Sequence, residues 1–216
     1  MVKTEKGKNL EHILDEAIVK ENEWPYRIPN NWTWTYLLSG FAECLDTYRK
    51  PINATERAKR QGSIPYYGAT GQVGWIDDYL TNEELVLVGE DGAPFLDPFK
   101  KKSYMIFGKA WVNNHAHILR SLYGSSGNRF LLHYLNSFDY NGYVSGTTRL
   151  KLTQKSLRKI LLPLPPIEEQ KRIVKKLTSM LAKLEDVREL IKEAKESNEN
   201  RRAAILNKAF TGELTK

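Results

Sequence analysis

The residues Leu162-Pro163-Leu164-Pro165-Pro166-Ile167-Glu168-Glu169-Gln170 open a stretch that runs to Phe210 and decides how the chain is divided. Stepping alternately four and three residues from Ile173, one meets Leu177, Met180, Leu184, Val187, Ile191, Ala194, Asn198, Arg201 and Ile205. That spacing is the period of a coiled-coil seam, apolar at first and polar at Asn198 and Arg201. Pro163, Pro165 and Pro166 lack the amide a helix interior needs and push their predecessors into extended backbone. They fix where the helix starts, while Gly212 lies just beyond its end. At a rise of about 1.5 Å per residue, such a helix outreaches the core of a domain this size and calls for a partner.

Upstream of the prolines the period changes. Residues 1–9 are polar, and Leu10, Ile13, Leu14, Ala17 and Ile18 share one face of a short amphipathic helix expected over Leu10 to Lys20. An extended lead-in with Pro25 and Pro29 comes next. Trp32, Trp34 and Tyr36 then alternate with Thr33 and Thr35, the period of a first strand. Residues 50–62 read as a charged loop, and Ser63 to Tyr67 as extended. Gly62, Gly68, Gly71 and Gly74 divide the neighbouring sequence into short strands and turns, and the continuous apolar run Leu85-Val86-Leu87-Val88 suits a buried strand. Tyr104 to Phe107, Ala110 to Val112 and Ala116 to Leu119 are further strands, Arg129 to Phe138 is a helix, Thr153 caps a short helix through Leu157, and Ile160 to Leu164 is a last strand. The fold class is α+β: residues 1–27 are an N-terminal helix and lead-in, 28–165 a mixed globular domain, and 166–216 one long coiled-coil-forming helix.

The 216 residues suffice for one sizeable core plus an appendage, and a net charge of +7 favours a polyanionic partner. No apolar run reaches the roughly 20 residues of a membrane span, and the Lys-rich start lacks a signal-peptide core, so the expected setting is the cytoplasm. Cys44 is the only cysteine, which excludes an internal disulfide and a cysteine-based zinc site.

Catalytic motifs are sparse. Gly68, Gly71 and Gly74 do not make a dinucleotide fingerprint, Leu164-Pro165-Pro166-Ile167 lacks the polar residue of a base methyltransferase motif, and Ser145 sits in no nucleophile elbow. His115 and His117 lack a third His or Cys nearby, so packing or hydrogen bonding explains them better than a metal, and no metal site is expected. The acidic-x-Lys pairs at Glu169 to Lys171 and Glu193 to Lys195 read as helix charges. The enzymatic alternative is a dimeric metal-dependent nuclease built on Glu90, Asp91 and Lys109.

Binding chemistry is better supplied. Lys100, Lys101, Lys102, Lys109, Arg57, Lys59 and Arg60 can neutralise phosphates, and Tyr67, Thr70, Gln72, Asn113 and Asn114 can read base edges. Thr147, Thr148 and Arg149, three donors in one Gly-containing loop, suit a phosphate clamp.

Three stretches carry a resemblance: Ile28-Pro29-Asn30-Asn31-Trp32-Thr33-Trp34; Gly146-Thr147-Thr148-Arg149; and the long run from Leu162 through Arg172-Ile173-Val174, followed by Ala209-Phe210-Thr211-Gly212-Glu213-Leu214. Bracketing nearly the whole chain, they resemble the specificity subunit of type I restriction–modification systems. Family members usually carry two target-recognition domains and two antiparallel helices, whereas this sequence carries one of each. The resemblance therefore implies a non-catalytic DNA-recognition subunit acting as a homodimer, its seam at Ile173, Leu177, Met180, Leu184, Val187, Ile191, Ala194, Asn198 and Ile205. It also implies a bipartite, inverted DNA site read by two recognition domains on a coiled-coil spacer. Partner methyltransferase subunits are expected to bind S-adenosylmethionine, with no cofactor in this chain itself, and restriction subunits can join the complex.

Overall fold

A computed structural model describes residues 16–214. They fall into two compact units, one ending at Val174 and one beginning at Lys175. Of the amphipathic helix expected over Leu10 to Lys20, residues 10–15 lie outside the described residues. In the remainder Glu16 and Ala17 are helical as expected, but the helix ends before Lys20: Ile18 bridges Thr35, and the Val19 amide donates to the Trp34 carbonyl at 2.8 Å. Tertiary pairing takes over there from the helical spacing.

The first unit opens with β1 (Thr33–Tyr36), a single π-helical turn over Leu37–Phe41, and β2 (Ala42–Cys44). The segment read as a charged loop contains α1 (Ala54–Lys59), whose N-cap Asn53 accepts the Glu56 amide at 2.8 Å. Next come β3 (Ile64–Tyr67), β4 (Gln72–Ile76), β5 (Thr81–Asn82), β6 (Leu85–Gly89), β7 (Ser103–Ile106), β8 (Lys109–Val112) and β9 (Ala116–Ser121). The chain continues through α2 (Gly124–Ser137), α3 (Gln154–Leu157), β10 (Leu161–Leu164) and α4 (Ile167–Phe210). Thr153 caps α3 by accepting the Ser156 amide at 3.1 Å.

Two four-stranded sheets lie face to face, in the orders β2-β9-β6-β7 and β4-β3-β8-β5. Every pair in the first is antiparallel, and only β3 with β8 is parallel in the second. The run Leu85 to Val88 is apolar throughout because β6 is covered on both sides. Val86 and Val88 face a core built with Phe130, Leu131 and Leu135 of α2, whereas Leu85 and Leu87 face Ala110, Val112 and Ile118 between the sheets. On the far side of the second sheet, Tyr66, Ile76 and Trp111 cluster with Ile52. Alternation of side chains along β6 and β8, one strand from each sheet, thus contributes to all three stacked layers.

A separate antiparallel pair, β1 with β10, joins the beginning of this unit to its end, with Thr33 opposite Leu164 and Tyr36 opposite Leu161. The Asn31 side-chain amide donates to Glu169 at 3.0 Å, so the Asn31-Trp32 and Glu169-Gln170 stretches, remote in sequence, form one seam. Gln170 is fully buried and donates to the Pro165 carbonyl at 2.9 Å, and Val174 is buried. Ile173, partly buried, packs against the same core, so the first turns of α4 belong to the globular unit.

Beyond Val174 the helix is described by itself. Of 44 residues in α4, the apolar positions Met180, Leu184, Val187, Ile191 and Ile205 are half exposed or more. Leu181, Leu190 and Leu206 widen the stripe, and they too are uncovered. No helix among the described residues is long and apolar enough to cross a membrane.

Candidate nucleic-acid interface

The turn leaving β6, the β3–β4 turn, the β8–β9 turn and the loop over residues 145–151 converge at one end of the two sheets. The Glu90 amide donates to the His115 carbonyl at 2.7 Å, the Asn113 amide to the Tyr67 carbonyl at 3.1 Å, and the Gly92 amide to the Leu150 carbonyl at 3.1 Å. Tyr104 Oη donates to the Gly68 carbonyl. A methyl group placed on Gly89 would stand 3.1 Å from the Ala69 carbonyl oxygen, which brings the β3–β4 turn against β6.

Beneath these loops lies a network of charges. His117, fully buried on β9, holds Asp46 Oδ2 with Nδ1 at 2.6 Å and the Leu152 carbonyl with Nε2 at 2.8 Å. Burial alone would discharge the ring, but its hydrogen bonds, above all to Asp46, outweigh that and raise its pKa to about 9. Asp46 answers in the opposite sense: burial would raise it, but contacts to His117, the Ile118 amide and Arg49 hold it below its ordinary value. Arg49 reaches Asp46 at 3.1 Å and also Glu90, which takes Lys151 at 3.0 Å. Glu90 is lowered because those two cations overcome its own desolvation. Cys44, Asp46 and His117 approach within 4.8 Å of one another, close enough for metal ligands, but both ring nitrogens of His117 are already engaged in the ion pair and the backbone contact.

Asp91 completes the network at the surface, receiving Arg149 Nη2 at 2.6 Å and His115 Nδ1 at 2.8 Å. The adjacent carboxylates therefore serve different partners, as opposite-facing neighbours on extended backbone must. Gly92 turns the chain here at φ +71, a left-handed conformation that favours glycine, and a methyl group on it would stand 3.0 Å from Arg149 Nε. Ser145 and Lys151 exchange backbone hydrogen bonds at 3.1 and 2.8 Å, closing the loop that presents Thr147, Thr148 and Arg149 to solvent.

The sequence-derived candidates separate into groups. Tyr67, Thr70, Asn113, Asn114, Thr147, Thr148 and Arg149 come together at this end, with Thr70, Asn114 and the Thr-Thr-Arg loop exposed. Asn113 is buried instead, its Oδ1 accepting the His115 amide at 2.8 Å, so it shapes the turn and offers no free edge. Tyr67 is half-buried, its ring 5.9 Å from that of Tyr104, and desolvation raises its phenol pKa. Gln72 is exposed on β4, donating to the Gly74 carbonyl at 3.1 Å. Arg57 and Arg60 cover the outer sheet, stacked 4.8 Å from the Tyr66 ring and 4.7 Å from the Trp111 ring, while Lys59 is exposed beside them. Lys100 and Lys101 are exposed, but Lys102 is only 2% exposed and must be removed from the phosphate-contacting set. Its backbone already runs into β7, its carbonyl accepting the Gly89 amide at 3.0 Å.

Lys109 begins β8, at the opposite end from Asn113, and lies 4.8 Å from the Tyr79 ring. The nuclease alternative fails on this geometry, since Glu90 is held by Arg49, Lys151 and His117, Asp91 by Arg149 and His115, and Lys109 is a strand's length away. Arg49, Asp46 and Lys151 escaped the sequence reading because, the short-range Asp46–Arg49 pair apart, their partners lie tens of residues away.

Comparison with known proteins agrees on one family. The pattern described as type I restriction modification DNA specificity domain matches residues 29–196. A putative type I restriction enzyme specificity subunit of Haemophilus influenzae is 35% identical over 145 residues, 67% of this chain and 36% of that protein. The EcoBI specificity subunit of Escherichia coli is 36% identical over 90 residues, 41% of this chain and 19% of that protein. A solved chain from work on assembly and conformational transition of a type I R-M system superposes over 93% of this chain and 50% of its own, with TM-score 0.68 at 20% identity. The crystal structure of the corresponding S subunit from M. genitalium covers 77% of this chain and 44% of its own, with TM-score 0.57 at 18% identity. The chain thus spans half or less of the length of each of these relatives.

Proposed function

The chain belongs to the family of type I restriction modification DNA specificity domains, and from that premise we propose that it reads a short duplex DNA sequence for a restriction–modification complex, without catalysis of its own. The observation that carries the reading is the convergence of Thr70, Asn114, Thr147, Thr148 and Arg149 on loops fixed from below by paired charges. Pre-set loops suit base readout, because a side chain that discriminates between bases must not relax to accept the wrong one. Phosphate contacts from exposed lysines would set register, while the loop side chains contribute roughly 1–3 kcal/mol against each wrong base pair.

The uncovered apolar stripe of α4 supports assembly. Two copies paired along Met180, Leu184, Val187 and Ile191 would bury that stripe and set two reading surfaces on one duplex. A two-fold dimer then reads an inverted, bipartite site. Methyltransferase subunits binding S-adenosylmethionine would supply the chemistry, and restriction subunits could join. Light scattering of the chain at micromolar concentration, with anisotropy titration of randomised duplexes with and without methyltransferase subunits, tests both parts. A dimer that selects particular duplexes supports the proposal, whereas a monomer that binds no duplex in either condition overturns it.

A further inference from the structure

We propose that Phe99 is a wedge that enters the base stack of the duplex held at the loop cluster, a reading that rests on the DNA recognition proposed above. Phe99 is 94% exposed, more than any other large apolar side chain among the described residues. It is nevertheless presented rigidly. The connection from β6 to β7 leaves the cluster at Gly92, beside Arg149, and returns at Lys102, paired to Gly89, so both of its ends are fixed at the proposed reading surface.

Within it, Ala93 and Phe95 are buried, the Phe95 ring lying 5.1 Å from that of Tyr140. Asp97 then folds the tip. Its Oδ1 accepts the Phe99 amide at 2.9 Å, its backbone carbonyl accepts the Lys100 amide at 3.3 Å, and its carboxylate meets Lys100 Nζ at 3.4 Å. Pro94 and Pro98 restrict the backbone on either side. One phenylalanine of the loop is thus anchored in the core and the other is aimed outward from a stiff turn.

The surroundings of Phe99 select its partner. Lys100 and Lys101 are exposed beside it, and the single acid of the turn, Asp97, is taken up in its internal bonds. Lysine is depleted at the centres of protein–protein interfaces, whereas paired lysines next to an apolar side chain match a phosphate backbone flanking an opened base step. Insertion would locally unstack one step, and the specific duplex would be the one whose sequence opens there most cheaply.

The test uses duplexes that the wild-type chain selects from a randomised pool, rebuilt with 2-aminopurine at each position in turn. Wild-type chain is expected to brighten 2-aminopurine at one step, and Phe99→Ala to abolish that signal and weaken binding about tenfold. Phe99→Leu, still an apolar wedge, should retain most of both. Because the side chain is exposed, thermal unfolding of Phe99→Ala should match wild type. Selected duplexes bound equally by Phe99→Ala, with unchanged fluorescence, would overturn the wedge while leaving DNA recognition standing. Loss of methyltransferase association in Phe99→Ala, with DNA binding intact, would overturn it in favour of a protein contact. A wild-type chain that selects no duplex would sink both proposals.

Discussion

Replacing His117 by glutamine should remove a pH dependence of stability that the buried charge network creates. In the folded chain the imidazole titrates at about 9, against an ordinary value of 6.5. At about 1.4 kcal/mol per pH unit, that difference corresponds to about 3 kcal/mol. Because the folded value lies above the unfolded one, the stabilisation is complete below about pH 6.5, declines as pH rises, and is gone above about pH 9. The lowered Asp46 reports the same contact from its other side, so the two are not added. Urea unfolding at about pH 6 and about pH 9 should show wild type losing about 3 kcal/mol more than His117→Gln over the interval. The variant itself should be less stable than wild type at pH 6 by about 3 kcal/mol, since it takes the closer of the two cations from buried Asp46 and leaves only Arg49 beside it. Parallel pH profiles for the two proteins would refute this reasoning, because no other described histidine is fully buried against a carboxylate.

The geometry makes three other substitutions informative. Gly127→Ala on α2 should destabilise the domain by about 1–2 kcal/mol in thermal unfolding, although alanine ordinarily favours a helix, because overpacking outweighs propensity; the added methyl would stand 2.1 Å from Ser121 Oγ. Arg149→Gln should weaken binding of a selected duplex and lower the slope of log affinity against log salt by about 0.9, if that guanidinium neutralises one phosphate; an unchanged slope would remove it from the backbone contacts. Leu184→Glu or Ile191→Glu should yield a monomer by light scattering with lost specific binding and unaltered near-ultraviolet circular dichroism, whereas Val174→Glu, at a buried position, should unfold the domain.

Much of this architecture is written locally. The boundaries of α4 follow from Pro163, Pro165, Pro166 and Gly212, each of which acts through its own backbone. Likewise β6 could be read from Leu85 to Val88, since a strand covered on both sides needs no polar alternation. The features that escaped reading depend on partners distant in sequence or on a single cap. The helix α1 hides in a charged segment, and its signal was the N-cap Asn53. The spacing of Leu10 to Ile18 suggested a helix running to Lys20; Glu16 and Ala17 are helical, but pairing of Ile18 and Val19 with β1 ends it early. Ile173 fits the seam period equally well as a domain residue, because a helix entering a core keeps its register on both sides of the boundary. At the loop cluster, residue type identified Thr147, Thr148 and Arg149, but could not separate exposed Lys101 from buried Lys102. Pairing of the Lys102 backbone with Gly89 makes that distinction, and it emerges only once β6 and β7 come together.

Two copies of this chain are proposed to read one inverted, divided site, and mapping the methylated bases in cells that carry the chain with a matching methyltransferase tests that most directly. The expected motif has two inverted half-sites separated by a fixed gap, methylated in both halves and lost on Leu184→Glu. An asymmetric motif, or a single undivided one, would contradict it.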